Sequence, residues 1–245
     1  MLVAFVSVLA VVFVNLGEWQ LRRLDQREAR NATTVANEQA PVKPYAQVFT
    51  RELTDADQWQ RVTTTGTFDA EHQFVVRNRT NGDDRGYEIV TPLRTATGVV
   101  LVNRGFITLT PGTGIPTVAP PPPAGEVSVL GHVRRNEQGR SGAVQPVDGS
   151  VRLINSDALQ AALPYPVADG YISALETTPP QSADLVPILP PELSSGPHFW
   201  YAMQWFMFAS IGILGIVVFI RSDLRDRRTA RARAEADPDR TPAPR

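Results

Sequence analysis

The sequence predicts an α+β membrane protein, with two transmembrane helices flanking an extracytoplasmic antiparallel β domain. That domain is expected to be a twisted sheet or partial barrel with one short helix. Three observations carry the expectation. Residues 1–17 and 199–220 hold no charged side chain. Between them, from Gln60 onward, the apolar residues recur with a period of two. Short turns separate these runs, which leaves no room for the helical crossovers of a parallel sheet.

The second apolar run has 22 residues. As a helix at about 1.5 Å per residue it spans about 33 Å, enough for a hydrocarbon core about 30 Å thick. The first run stands at the short limit of roughly 17 residues. A cleaved signal peptide is the other reading of it, although it lacks a basic leader and an A-x-A-like cleavage site. The first helix is expected to continue past the bilayer, because Leu16, Trp19, Gln20, Arg23, Leu24 and Arg27 recur at spacings of three and four. Pro41 and Pro44 end it. The expected divisions are therefore a first span over 1–20, a helical extension over 21–40 and a β domain over 41–178. A Pro-rich extended linker over 179–197, a second span over 198–221 and a basic, disordered tail over 222–245 follow.

Charge gives the orientation. Arg221, Arg225, Arg227, Arg228, Arg231 and Arg233 follow the second run, whereas residues 179–198 contain no Lys or Arg. The positive-inside rule places the C-terminal tail, and with it both termini, in the cytoplasm and the central domain outside. The first helix runs against this, since Arg22, Arg23, Arg27 and Arg30 follow it, interleaved with Glu18, Asp25 and Glu28. A basic leader upstream of Met1 would restore the rule there.

Strands are expected over 61–68, 73–79, 87–93, 99–106, 126–133, 151–154 and 171–175. Turn chemistry at 81–84 and 96–98 joins the second to fourth as an antiparallel meander. The run 120–123 reads as a stiff surface spacer without backbone donors. Asn155 can cap a short helix through Ala162, which Pro164 stops.

A net charge of −1 offers no basic face for nucleic acid. There is no cysteine, so disulfides, thiolate copper sites, c-type haem attachment and redox dithiols are excluded. The exported region, about 160 residues, must be held by its own core, which is feasible at that size. Lys43 is the only lysine. Such preference for Arg reads as GC-rich bacterial coding and carries no mechanism.

No nucleophile elbow, phosphate loop or metal-spaced cluster occurs in the sequence, so a membrane-anchored enzyme using carboxylates is disfavoured. Of the three histidines, His72 and His132 read as surface or sheet residues. His198 stands at the mouth of the second span, with Tyr201 and Trp205 at i+3 and i+7 on one helix face. The cluster is either an interfacial aromatic belt or an imidazole placed to ligate a haem iron. If the first helix runs outward, Gly17, Trp19, Gln20 and Arg23 lie at the same depth.

These residues resemble a known family. Gly17-x-Trp19-Gln20-x-x-Arg23 is similar to the opening signature of the surfeit locus protein one family. Further similarities are Gly66-Thr67-Phe68-Asp69, Asn78-Arg79, Gly86-Tyr87 with Thr91-Pro92-Leu93, and Val102-Asn103-Arg104-Gly105-Phe106. The last is His198-Phe199-x-Tyr201-Ala202-x-x-Trp205-Phe206 with Ala209. The departures are Arg27, where the family often has Lys, and a drawn-out Pro-rich segment over 111–124.

The resemblance implies an assembly factor, not an enzyme, for aa3-type haem–copper cytochrome c oxidase in a bacterial plasma membrane. It would assist delivery of haem a to the catalytic subunit, with His198 as possible iron ligand. Trp205, Tyr201, Trp19, Gln20 and Arg23 would support it, and Gly17, Asn103, Arg104 and Gly105 would serve structure or partner contact. Arg22 or Arg23 could meet the propionates, while Arg104 is expected to pair with a carboxylate such as Glu88. Implied partners are the oxidase subunits, membrane lipid and a haem a synthase. The alternative is an accessory subunit that stays bound to the oxidase.

Overall fold

The computed structural model describes residues 1–110, 112 and 119–236. The chain divides into two units. One comprises Met1–Arg30 with the segment from Leu193, and the other is Asn31–Glu192.

The first unit is a pair of antiparallel helices, from α1 (Leu2–Gln39) and α5 (His198–Ala236). Both are long and apolar enough to cross a bilayer. Large residues sit against small ones along the seam. The Phe13 ring stacks on Trp205 at 5.6 Å and meets Phe208 at 5.8 Å. Ala202 and Ala209 are buried. Gly17 leaves room for Phe206, whose Cε1 would stand 2.6 Å from a Cβ at that position. Close approach at small residues is how helices associate where no hydrophobic drive exists between them. α1 continues unbroken past Gly17, as its spacing predicts. α5 runs on to Ala236, so residues 222–236 are helical and not disordered. Arg and Ala are strong helix formers, and no Gly or Pro interrupts them there. Residues 237–245 of the expected tail lie outside the described residues.

The second unit is a β domain whose strands are β1 (Lys43–Pro44), β2 (Arg61–Phe68), β3 (Phe74–Asn81), β4 (Asp84–Thr95), β5 (Gly98–Thr108), β6 (Glu126–Arg134), β7 (Ser150–Val151) and β8 (Tyr171–Thr178). They form one eight-stranded sheet in the order β1-β2-β6-β8-β5-β4-β3-β7, and a further β2–β4 pairing closes it. The ring is thus β2-β6-β8-β5-β4, with β3 and β7 continuing beyond β4. Its neighbours are antiparallel except β5 and β8, which run parallel. Direction cannot alternate all the way around a ring of five, so one parallel pair is unavoidable. The short pairings β1–β2 and β3–β7 are also parallel. The sheet is therefore mainly antiparallel rather than wholly so.

Alternation divides the core. Val100, Val102, Val129, Leu93 and Ile172 pack together within the ring. Leu101, between the two valines, faces the other way onto Val76, Ile154 and Leu159. Leu159 belongs to α4 (Ser156–Gln160), whose Asn155 cap accepts from the Ala158 amide at 3.0 Å. Two single turns complete the domain, α2 (Tyr45–Val48) and α3 (Ser141–Val144). Of the expected strand over 151–154 only Val151 pairs in the sheet, together with Ser150 before it.

Two Pro-rich stretches behave differently from expectation. Residues 179–192 belong to the β domain and form a strap across it, not a free linker. Val186 exchanges backbone hydrogen bonds with Phe106, Leu185 is buried, and the Leu189 amide donates to Asn81. Residues 120–121, expected as a surface spacer, turn their carbonyls inward onto Arg104.

Candidate functional site

The head of the helix pair is built by the start of α5. Gly196 and Pro197 turn the chain, the Pro197 carbonyl accepts from the Tyr201 amide at 3.1 Å, and His198 becomes the first helical residue. Its Nδ1 lies 2.8 Å from Oε1 of Gln20 on α1. An amide oxygen only accepts, so Nδ1 is the donor, and in the neutral ring the lone pair is then on Nε2. A side-chain partner on one imidazole nitrogen is the usual way a metal-binding histidine is oriented.

The expected site residues separate into three groups. His198 and Gln20 are joined directly. Trp19 and Arg23 form a second group, with the Arg23 guanidinium 5.7 Å from the Trp19 ring and its Nη1 donating to Gln26. Trp205 belongs to a third, packed on Phe13 and Phe208 two turns from His198. Below it, Val6, Leu9, Phe13, Phe208 and Ile211 line an apolar groove of about 310 Å³. Tyr201 is exposed. Gly17 holds the seam against Phe206.

Arg27, not the expected Arg22 or Arg23, is the arginine that approaches Gly196, the turn residue against which the His198 ring also lies. A Cβ on Gly196 would stand 3.0 Å from Arg27 Nη1 and 3.6 Å from His198 Cδ2. Of the four arginines that follow the first apolar run, Arg23 and Arg27 share the face of Gln20, and Arg27 is the one that reaches Gly196.

In the β domain, Asn103, Arg104 and Gly105 form a β-bulge. Ile89 pairs with Gly105 and Val90 with Asn103, so Arg104 is the extra residue. Gly105 adopts φ of 140°, and a Cβ there would stand 2.7 Å from the Val186 carbonyl oxygen. The Asn103 amide donates to Glu88 at 2.7 Å, and its oxygen accepts from the Gly105 amide. Arg104 does not pair with Glu88. It is fully buried and donates to Gln73 (2.8 Å), to the Pro120 (2.7 Å) and Pro121 (3.0 Å) carbonyls, and to Gln181 (3.3 Å). Burial brings its pKa down to about 10. Glu88 faces Arg79 at 3.3 Å instead, and Arg79 also reaches Glu137 at 2.7 Å. Burial pushes the Glu88 carboxyl up, with Arg79 pulling it the other way.

The remaining histidines are sheet and turn residues. His132 is buried in β6, and desolvation, aided by Arg134 and Arg61, lowers its pKa to about 4. His72 donates to Asp69, which also accepts from Arg94 and Tyr165. Burial opposes ionisation of Asp69, but its Tyr165, Arg94 and His72 partners hold the carboxyl well below its usual range.

Residues 7–210 match the sequence profile of the SURF1 family. This chain belongs to that family. It is also 27% identical over 226 residues to uncharacterized SURF1-like proteins of Mycobacterium bovis and of two Mycobacterium tuberculosis strains. Each alignment covers 90% of this chain and 82% of the relative. The SURF1 match begins within the apolar run of α1 and ends within that of α5, so it takes in both helices and the closed β domain. SURF1 proteins are cytochrome oxidase assembly factors, a family defined by association with the oxidase and not by catalysis.

Proposed function

We propose that this protein assists maturation of an aa3-type haem–copper oxidase by holding haem a on its way to the catalytic subunit. The observation that carries the reading is the His198–Gln20 hydrogen bond, which engages Nδ1 and leaves Nε2 as the ring nitrogen for a ligand at the head of an apolar helix pair. The residues present fit such a group. His198 would supply the axial nitrogen, Arg27 a cation for a propionate, and the exposed rings of Trp19 and Tyr201 an apolar border. The bound group supplies the iron porphyrin of the oxidase active centre. Gln20 fixes the imidazole tautomer, and Gly17 with Phe206 keeps the two helices close enough for Gln20 to reach. The proposed orientation has both termini in the cytoplasm and the β domain outside, supported by the arginines after Ile220.

Affinity purification in mild detergent tests this. The wild-type chain is expected to co-elute with haem a and with oxidase subunits. His198→Ala should lose the haem while the protein still inserts and folds. His72→Ala and His132→Ala should leave the haem spectrum in place. Equal haem binding and oxidase maturation in the His198→Ala chain would overturn the ligand reading. Stoichiometric recovery with mature oxidase would then favour an accessory subunit.

A further inference from the structure

The helical continuation of α5 beyond Ile220 organises charges that the sequence shows only as a run. Residues 221–233 contain six arginines and two aspartates. At 100° per residue, Arg221, Arg225, Arg228 and Arg231 fall within an arc of about 120°. Asp223 and Asp226 lie outside that arc, and Asp223 takes Arg227 in an ion pair of 2.9 Å. The four arginines of the arc are exposed, and none makes an ion pair with another described residue. Leu224 lies in the same arc and is 50% exposed, an apolar side chain among guanidinium groups.

An arginine face with one apolar residue, starting at the residue that ends a membrane-spanning run, matches the chemistry of the headgroup layer. The first turns after Ile220 stand within a Debye length of about 10 Å of that layer, where each arginine gains from anionic lipid. The guanidinium fork suits a phosphodiester, and Leu224 suits the acyl boundary beneath it.

We propose that Arg221, Arg225, Arg228 and Arg231, with Leu224 among them, form a binding surface for anionic phospholipid in the leaflet where α5 leaves the bilayer. The surface is distinct from the His198 end of the helix and does not depend on the oxidase reading. It rests on α5 crossing the membrane.

The full-length chain, reconstituted in phosphatidylcholine nanodiscs with a minor share of phosphatidylglycerol, provides the test. Lipid retained through delipidation is measured by mass spectrometry at low and high salt. The wild type should retain phosphatidylglycerol over phosphatidylcholine, and the preference should fall with salt. The decisive variant exchanges two neighbours, Arg225→Asp with Asp226→Arg. It keeps composition and net charge, and so the orientation signal, but breaks the face. Its preference should fall roughly thirtyfold, from loss of one favourable contact and gain of one repulsive one at about 1 kcal/mol each. Replacing all four arginines by Gln should abolish the preference. An exchange variant with wild-type selectivity, or a wild type that retains both lipids alike, overturns the proposal. Alkaline extraction of the same chains is read separately. Release of the wild type would remove the spanning premise, whereas retention with equal lipid uptake would refute the lipid surface alone.

Discussion

The β domain contains two bulges that each carry an arginine, and they settle its charge in opposite ways. In β3, Arg77 and Asn78 stand opposite the single residue Tyr87, Asn78 takes φ of 60°, and Arg79 turns onto Glu88 and Glu137. In β5, Arg104 is the extra residue and donates only to carbonyl and amide oxygens, with its guanidinium 5.8 Å from the Phe68 ring and no carboxylate among its partners. The first guanidinium holds two acids, the buried Glu88 and the half-buried Glu137. The second gathers three segments outside the ring: the approach to β3, residues 120–121 and the strap at Gln181. One bulge therefore secures the core electrostatically, and the other fastens covering chain to it.

The contrast predicts unequal losses, all measurable as unfolding of the full chain in detergent followed by tryptophan fluorescence, to which Trp59 is the contributor from the β domain. Arg79→Met should cost the most, about 3–5 kcal/mol, because buried Glu88 and half-buried Glu137 lose the cation they share. If it cost no more than Arg104→Met, the compensating role assigned to the β3 bulge would be wrong.

A second loss is tied to pH. His132 is buried near Arg134 and Arg61, with Glu38 3.8 Å away and partly exposed. Its folded pKa of about 4 lies below the unfolded value of about 6.5, so the fold binds the neutral ring. The stability is present above pH 6.5 and is lost as pH falls towards 4, by up to about 3 kcal/mol. His132→Gln should flatten that dependence, and an unchanged slope would count against His132 as its source.

Gly105→Ala comes next, at about 2–3 kcal/mol, from a positive φ and a clash with the Val186 carbonyl. Arg104→Met should cost least in global stability, about 1–2 kcal/mol, since it strands neutral acceptors and no charge. Its main effect should be local, as faster proteolysis between Gln181 and Leu189. Protection equal to wild type there would refute the fastening role.

Much of this architecture is legible in the sequence. β2 spans the residues that its period of two marks, and Asn155 caps α4 because cap chemistry is local. The parallel pair is hidden because it follows from ring closure, which no window of sequence displays. The strap is hidden because its prolines mask two apolar residues with distant partners. Leu185 packs in the cluster around Tyr87 and Ile89, and Val186 bridges to Phe106. At the candidate site, His198 and Gln20 are visible as polar residues at the ends of the two apolar runs. Arg27 shares the helix face of Gln20 and Arg23 in the sequence, but its approach to Gly196 is not legible there, because Gly196 comes from a distant turn.

The ring closes through β8, the last strand to leave the ribosome. Until residue 171 is made, β5 and β6 lack the neighbour that lies between them, and each presents an open edge of backbone donors and acceptors. A chain halted anywhere between β6 and β8 therefore exposes two such edges at once, with the ring's valine-rich interior uncovered. Closure comes late in synthesis, about twenty residues before the second helix begins, at the step where unfinished chains are most exposed to aggregation and proteolysis.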